Sequence, residues 1–140
     1  MNFSSLFSEK DVVNPNDGTR DIELEFFLRL FDEDGESSFL DIGGAESAFG
    51  RILHEKGYDI TVVDLHPKPT EMWVTKEDFL TFETEKRFDV AVAISSLEHF
   101  GLPIYTPYFN PFADVIATYH IWQLLKPAGR LYLSIPIGRS

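Results

Sequence analysis

Residues 38–64, SFLDIGGAESAFGRILHEKGYDITVVD, decide the fold of this chain. The apolar run 38–42 predicts a short buried strand that ends at two consecutive glycines. Apolar side chains then recur on one helical face, and Gly57 stands where a left-handed C-terminal cap is expected. The β-branched run 59–64 predicts a second strand. Strand, helix and strand form a βαβ unit, whose right-handed crossover implies a parallel sheet.

The alternation of strands and helices continues along the chain. The further elements that the patterns predict are a helix over 19–31, strands over 72–75, 88–94 and 131–135, and a helix over 112–125. The run 90–94, Val-Ala-Val-Ala-Ile, is continuously apolar, which is typical of a strand covered on both faces. We therefore predict one α/β domain with a doubly wound, mostly parallel sheet.

Composition limits the partners and the compartment. Twelve basic against 23 acidic residues give a net charge of −11, which repels phosphate backbones and anionic lipid headgroups. The chain has no cysteine, which excludes disulfides and thiolate metal sites and fits a reducing compartment. It shows neither a signal sequence nor an apolar run of the ~20 residues that a membrane span needs. We expect a cytoplasmic protein without a metal that binds neither nucleic acid nor membrane.

Carboxylates stand at the ends of the first two predicted strands. Asp41 precedes the glycine turn, and Asp64 ends the second strand, where it can accept hydrogen bonds from both ribose hydroxyls of an adenosine. In such sheets ligands bind beyond the carboxyl ends of the strands. A dinucleotide fingerprint G-x-G-x-x-G that starts at Gly43 would need glycine where the chain has Ala45 and Ala48. The pattern favours a nucleoside pocket over an NAD site.

Five short motifs give the chain a resemblance to a known family. They are LDIG at 40–43, VD at 63–64, DF at 78–79, FDV at 88–90 and LLKPAGRL at 124–131. In order and spacing they resemble the motifs of class I S-adenosylmethionine-dependent methyltransferases. The stretch that begins at Ser95, Ser-Ser-Leu-Glu-His, is also similar to an uncharacterised methyltransferase-like family. The chain departs from the common pattern at Ala45 and Ala128, where many members have glycine.

The resemblance implies a fold, a reaction and a cofactor. The fold is a Rossmann-like core with strand order 3-2-1-4-5, apparently truncated after strand five, in a single methyltransferase-like domain over 1–140. Within it, 1–37 form an N-terminal helix and lead-in, and 38–136 form the nucleotide-binding core. The implied activity is methyl transfer from S-adenosylmethionine to an acceptor that the sequence does not identify.

The resemblance also assigns residues to parts of the cofactor. Asp41 and Gly43 lie against the methionine part, Asp64 at the ribose, Asp78 and Phe79 at the adenine, and Ser95 or Ser96 near the cofactor, with Gly44, Ala45 and Leu65 completing the set.

Glu98 and His99 are the candidate catalytic residues. His99 lies just past strand four, where its imidazole could remove a proton from a hydroxyl or amine acceptor, and Glu98 could do the same or orient it. The alternative is that both only hydrogen-bond local backbone in a sharp turn. The aromatic, proline-rich stretch 100–112 could line an acceptor pocket, form a lid or pack as a satellite core.

Other functions stay open at this point. The acceptor could be a small molecule, a glycan or a protein side chain, and the oligomeric state is not specified. One alternative is a catalytically silent domain that binds a nucleoside or a protein partner. A second is an NAD-dependent oxidoreductase on the same fold, against which the incomplete glycine fingerprint counts.

Overall fold

A computed structural model describes residues 27, 37–45, 48–65 and 73–136. The elements are, in chain order, β1 (Ser38–Ile42), α1 (Ala48–Glu55), β2 (Asp59–Asp64), β3 (Val74–Lys76), β4 (Phe88–Ile94), a 3-10 helix (Leu97–His99), α2 (Ala113–Leu124) and β5 (Leu125–Ser134). The helix predicted over 19–31 lies outside the described residues, apart from Phe27, which is helical.

The five strands form one parallel sheet in the order β3-β2-β1-β4-β5. β1 lies at the centre and pairs with β2 from Ser38↔Asp59 onward and with β4 from Phe39↔Val90 onward. The predicted doubly wound fold with this strand order is therefore confirmed. The order reverses between β1 and β4, which is the point where ligands bind in open α/β sheets.

The strand limits follow the sequence pattern closely except at β3 and β5. β1, β2 and β4 have the predicted limits, whereas β3 starts at Val74 because Trp73 is still in a turn. β5 begins at Leu125 rather than at residue 131, since Leu125 already pairs with Phe88. A register shift then separates that pair from the regular ladder that starts at Val90↔Arg130. This irregularity includes Ala128, which has φ +64.

Apolar side chains cover both faces of the sheet. β4 shows the division most clearly, because Ala91 and Ala93 belong to the cluster under α2, whereas Val90 and Val92 belong to the cluster under α1. Phe27 joins the second cluster and meets Tyr132 edge to face at 6.5 Å. The sheet is thus buried on both sides, as expected of a doubly wound fold.

Asp89 fastens the amino-terminal edge of the sheet. Its carboxylate accepts hydrogen bonds from the Ser38 backbone N–H and hydroxyl, each at 2.8 Å, and pairs with the Lys126 ammonium at 2.8 Å. Lys126 foremost, and then Ser38, lower the pKa of Asp89 to about 2. One side chain therefore ties together the starts of β1, β4 and β5.

Candidate functional site

The turn after β1 is built so closely that only glycine fits. Gly43 has φ +73, and its N–H donates to the Val63 carbonyl at 2.8 Å. A Cβ at Gly43 would lie 2.8 Å from the Ser96 Cβ, and a Cβ at Gly44 would overlap the Asp41 carboxylate. The two glycines therefore let β1, β4 and the acidic side chain meet at one point.

Asp41 lies beneath this turn with its carboxylate unsatisfied. The residue is 1% exposed, and neither of its carboxylate oxygens has a hydrogen-bond partner among the residues that the structure describes. Gly50 of α1 closes the other side, because a Cβ there would stand 3.0 Å from the Asp41 Oδ2. Burial, with a smaller contribution from the charge of Asp64, raises the pKa of Asp41 to about 7. A buried carboxyl without partners is costly and calls for an explanation, such as a bound ligand, an ion or an ordered water.

Asp64 stands at the end of β2, on the next strand. Its Oδ2 accepts a hydrogen bond from the Ala45 backbone N–H at 3.0 Å, so the carboxylate fixes the end of the glycine turn at Ala45. Asp64 and the following Leu65 are half-buried. The structure thus brings together five predicted cofactor residues, Asp41, Gly43, Gly44, Ala45 and Asp64.

Ser95 and Ser96 connect the end of β4 to the same turn. The Ser96 hydroxyl is buried and donates to the Ile42 carbonyl at 2.8 Å. Ser95 has φ +45, a strained conformation for a residue with a Cβ, and its N–H bonds to the Ser134 carbonyl at 3.1 Å. Ser96 therefore positions the glycine turn, and the backbone of Ser95 joins β4 to β5.

Asp78 and Phe79 follow β3 in a tight turn. The Asp78 Oδ1 accepts from the Leu80 N–H at 3.0 Å. Phe79 is buried in the cluster under α2, where its ring contacts Phe82 and the edge of His120. The carboxylate thus shapes the local turn, and the phenyl ring fills the core.

Glu98 and His99 lie on the 3-10 helix, two and three positions beyond Ser96. Within the described part of the chain the buried Glu98 Oε2 has no hydrogen-bond partner, while the Glu98 Oε1 is 3.9 Å from the His99 Nε2. The imidazole is half-exposed and meets Tyr105 edge to face at 5.4 Å. Because Ser96 touches Gly43, the helix carries both side chains next to the glycine turn.

The stretch 100–112 forms a compact loop closed by the Asn110 N–H, which donates to the Gly101 carbonyl at 3.0 Å. Phe100 packs against the cluster under α2. Tyr108 and Phe109 are instead exposed. The loop is thus anchored in the core at its start and exposes aromatic rings further along.

Residues 19–140 match a family of methyltransferase domains. The chain belongs to this family. Its sheet order is that of the class I S-adenosylmethionine-dependent methyltransferases, so the resemblance that the motifs carry is confirmed. No curated protein matches the sequence.

Solved structures of methyltransferases share the fold of this methyltransferase domain. The N-methyltransferase NodS from Bradyrhizobium japonicum WM9, in complex with S-adenosyl-L-homocysteine, is 23% identical with a TM-score of 0.59, over 91% of this chain and 67% of that one. CalS10, an S-adenosylmethionine-bound amino pentose methyltransferase from Micromonospora echinaspora, is 14% identical with a TM-score of 0.56, over 87% and 51%.

A third neighbour is the glycopeptide N-methyltransferase MtfA complexed with sinefungin, 16% identical with a TM-score of 0.57, over 78% of this chain and 50% of that one. The methyltransferase domain thus spans between half and two thirds of the length of these neighbours.

Two further histidines of the methyltransferase domain have packing partners. His54 stacks on Trp73 with 4.6 Å between ring centroids, and the His120 Nε2 is 2.8 Å from the Phe82 carbonyl oxygen. His120 also borders an open cavity of about 590 Å³ at the amino-terminal edge of the sheet, opposite the glycine turn. Neither histidine lies on the 3-10 helix with Glu98 and His99.

Metal and membrane sites are not seen in the part of the chain that the structure describes. There, no three or more histidine or acidic side chains are grouped so that they could hold a metal ion. No helix within the same residues is both long and apolar enough to span a bilayer.

The sequence predicts the glycine turn and its two carboxylates but not the contacts that support them. The hydrogen bond from Ser96 to Ile42 joins residues that are far apart in sequence. The position of the Asp41 carboxylate behind Gly44 depends on the direction of the side chain. The pair Gly43-Gly44 directly after a strand was the available signal, because two glycines there indicate two close approaches.

Proposed function

We propose that the protein transfers a methyl group from S-adenosylmethionine to a small-molecule acceptor. The observation that carries this proposal is the fully buried, unpartnered carboxylate of Asp41 behind a turn that only glycine can form. It lies at the strand-order reversal of a methyltransferase-family sheet, beside a second carboxylate, Asp64. The ligands of the three solved neighbours, S-adenosylhomocysteine, sinefungin and S-adenosylmethionine, support the same cofactor here.

The residues at the turn suit this cofactor. S-adenosylmethionine, when bound, supplies a methyl group that is already activated on a cationic sulfonium. Asp41 and the glycine turn would receive its methionine part, and Asp64 with Leu65 would receive the ribose. Two carboxylates in a chain of net charge −11 favour a ligand with cationic groups. Asp78 and Phe79 would act at the adenine through the shape of their turn, since the Phe79 ring is buried.

Alignment is the main task of the protein in this reaction. Holding the nucleophile in line with the methyl carbon can supply ~7–11 kcal/mol, so a nucleophilic triad is not required. Ser96 fixes the end of β4 against the glycine turn and thereby sets where Glu98 and His99 stand. His99 would take a proton from the acceptor, and the buried Glu98 oxygen would orient the acceptor or the imidazole.

An amine is the acceptor class that we would screen first. NodS and MtfA are N-methyltransferases, and CalS10 acts on an amino pentose. An ammonium group would also satisfy the unpartnered Glu98 Oε2, because it carries several donors. We place the reaction in the cytoplasm, which the complete lack of cysteine supports.

Calorimetric titration with S-adenosylhomocysteine tests the cofactor assignment. The complete protein should bind it saturably and should not bind NAD. Asp64→Ala should weaken binding by ~10-fold or more, since at least one charge-assisted hydrogen bond is lost. Asp59→Ala, at the opposite end of the same strand, is the control and should bind like the wild type. Equal affinities of the wild type and Asp64→Ala would refute the ribose assignment.

Turnover separates an enzyme from a silent domain. Methyl transfer to a panel of amines that depends on His99, with cofactor affinity unchanged in His99→Ala, would support the catalytic assignment. Intact cofactor binding without transfer to any acceptor would favour a silent nucleoside-binding domain.

A further inference from the structure

α2 is apolar on both of its faces. Its inner face packs on the sheet and consists of the buried residues Ala113, Ala117, Ile121 and Leu124. We call the opposite face, together with the N-cap residue Phe112, the outer stripe; it consists of Phe112, Val115, Ile116, Tyr119 and Trp122, each 44–68% exposed. An amphipathic surface helix carries polar residues at these positions, whereas a helix that is apolar all round is normally covered on both sides.

The outer stripe is a continuous surface. Apart from the adjacent Val115 and Ile116, successive members are three residues apart, so they follow one another along one side of the helix. Tyr119 and Trp122 stack on each other with ring centroids 5.6 Å apart. Immediately before it, the loop exposes Tyr108 and Phe109 by 79% and 65%. Contiguous exposed aromatic patches of this kind mark interaction sites.

Charge is almost absent from this surface. Over 100–125 the only charged residue is Asp114, although a quarter of the whole chain is charged. Asp114 lies on the flank of α2 beside the buried Ala113, and its Oδ1 accepts from the Val115 N–H. In a chain of net charge −11, two copies repel each other least when they approach through this region.

The exposed area is sufficient for a stable dimer. Five aromatic side chains, Tyr108, Phe109, Phe112, Tyr119 and Trp122, are each 58–79% exposed. An aromatic side chain offers about 150–250 Å², so these rings present roughly 650 Å² before the aliphatic residues are added. A standard interface takes about 800 Å² from each partner.

We propose that the outer stripe is the interface with a second copy of this chain. The two copies would meet about a two-fold axis, so that the same aromatic rings face each other. A basic protein would be attracted to the acidic surfaces instead, and anionic lipid would be repelled. The helix that contains Phe27 does not occupy the outer stripe at that residue, because Phe27 packs on the opposite face of the sheet.

Light scattering on two charge variants of the complete protein tests the proposal. The wild type should be a dimer, and Trp122→Glu should raise the dimer dissociation constant by roughly 30-fold or more, as loss of a central aromatic does in other interfaces. Ile135→Glu, which places the same charge on an exposed apolar residue after β5, should remain dimeric. A wild type that is monomeric at about 0.1 mM overturns the proposal. So does dissociation of Ile135→Glu while Trp122→Glu stays dimeric.

Fluorescence identifies what covers the outer stripe. The difference between the emission of the wild type and that of Trp122→Phe, a variant that keeps an apolar ring, isolates the Trp122 signal. We expect this signal to shift to shorter wavelength as concentration raises the dimer population. A signal already at short wavelength in the monomer overturns the proposal, because another segment of the same protein then covers the stripe. A signal at the wavelength of exposed tryptophan in the dimer overturns it as well.

Discussion

Asp41 and Asp89 lie near opposite ends of neighbouring strands and differ in almost every physical respect. The Asp41 carboxylate is buried without a hydrogen-bond partner among the described residues, and burial raises its pKa to about 7. The Asp89 carboxylate holds Ser38 and Lys126, and its pKa is about 2. At the amino-terminal edge of the sheet the acidic group therefore holds strands together, whereas at the carboxyl-terminal edge the Asp41 carboxylate is left without such a partner, as our proposal that it binds a ligand requires.

Hydrogen bonding within the protein separates the acidic residue that we associate with a ligand from the one that serves the fold. Both belong to motifs that resemble those of the methyltransferase family, so the motif alone does not distinguish them. Hydrogen bonding within the protein does distinguish them, because a carboxylate whose oxygens already have partners in the protein has few free acceptor sites for a ligand. Variants at Asp41, Gly44 and Asp89, and at two residues with positive φ, test this division.

Replacing Asp41 by Asn should stabilise the protein and abolish cofactor binding. The folded state holds the Asp41 proton up to about pH 7, whereas the ordinary value is 3.8. Below pH ~4 the Asp41 carboxyl is protonated in both the folded and the unfolded state. Above that pH the unfolded state ionises first, so the wild type loses stability as pH rises, by up to roughly 4 kcal/mol at pH 8. Asp41→Asn has no such loss. Urea unfolding of the wild type and of Asp41→Asn at pH 4 and pH 8 measures how much stability each protein loses between these pH values.

The result would contradict the assignment of Asp41 if the two proteins lost stability equally between those pH values. It would do so too if Asp41→Asn bound S-adenosylhomocysteine as tightly as the wild type. A partner for the carboxylate within the protein would explain either outcome.

Gly44→Ala should disrupt the glycine turn at the carboxyl-terminal edge of the sheet. The added Cβ overlaps the Asp41 carboxylate, so we expect a loss of about 2–3 kcal/mol from overpacking and no detectable cofactor binding. Gly57→Ala is the control, because no atom lies within 4 Å of the added Cβ, although its φ of +79, which Gly44 does not share, adds backbone strain. It should cost about 1 kcal/mol from backbone strain alone and leave binding intact. Similar unfolding curves for both variants would show that the turn has more room than the structure gives it.

Asp89→Asn should weaken the amino edge without touching the site. Because the pKa of Asp89 is lowered in the folded state, its ionised carboxylate contributes to the free energy of unfolding above pH ~4, and this contribution is lost as pH falls through about 2. Because the side chain is 35% exposed, we expect only about 1 kcal/mol at pH 7 and no difference from the wild type below pH 2. Thermal unfolding across this range checks it. A reduced affinity for S-adenosylhomocysteine would contradict the separation of the two edges.

Relief of backbone strain should give the smallest effect. Ala128, at the amino edge, and Ser95, at the carboxyl edge, both have positive φ. Ala128→Gly should stabilise the protein by about 0.5–1 kcal/mol, which is the left-handed penalty less the greater entropy of the unfolded chain, and leave cofactor affinity unchanged. Ser95→Gly should stabilise similarly but weaken binding, because it loosens the backbone beside the glycine turn. Equal binding in both variants would assign the strain at Ser95 to folding alone.

Much of the fold could be predicted because its strands are short apolar runs with clear limits. β1, β2 and β4 followed from such runs, and the glycine turn with Asp41 and Asp64 followed from their spacing. The early start of β5 could not be predicted, since Leu125 becomes a strand residue only by pairing with Phe88. The burial of Phe79 depends on the direction of its side chain, which the motif does not contain.

The pairing of β1 with β4 has a consequence for how the protein is made. The Ser38 N–H finds its partner on Asp89, 51 positions later in the chain. During synthesis one edge of β1 therefore stays unpaired until β4 has left the ribosome. Non-local parallel pairing of this kind is also slow. An apolar strand with an open edge is prone to pair with other chains. We therefore expect synthesis that stops before β4 to yield aggregates rather than a smaller folded unit.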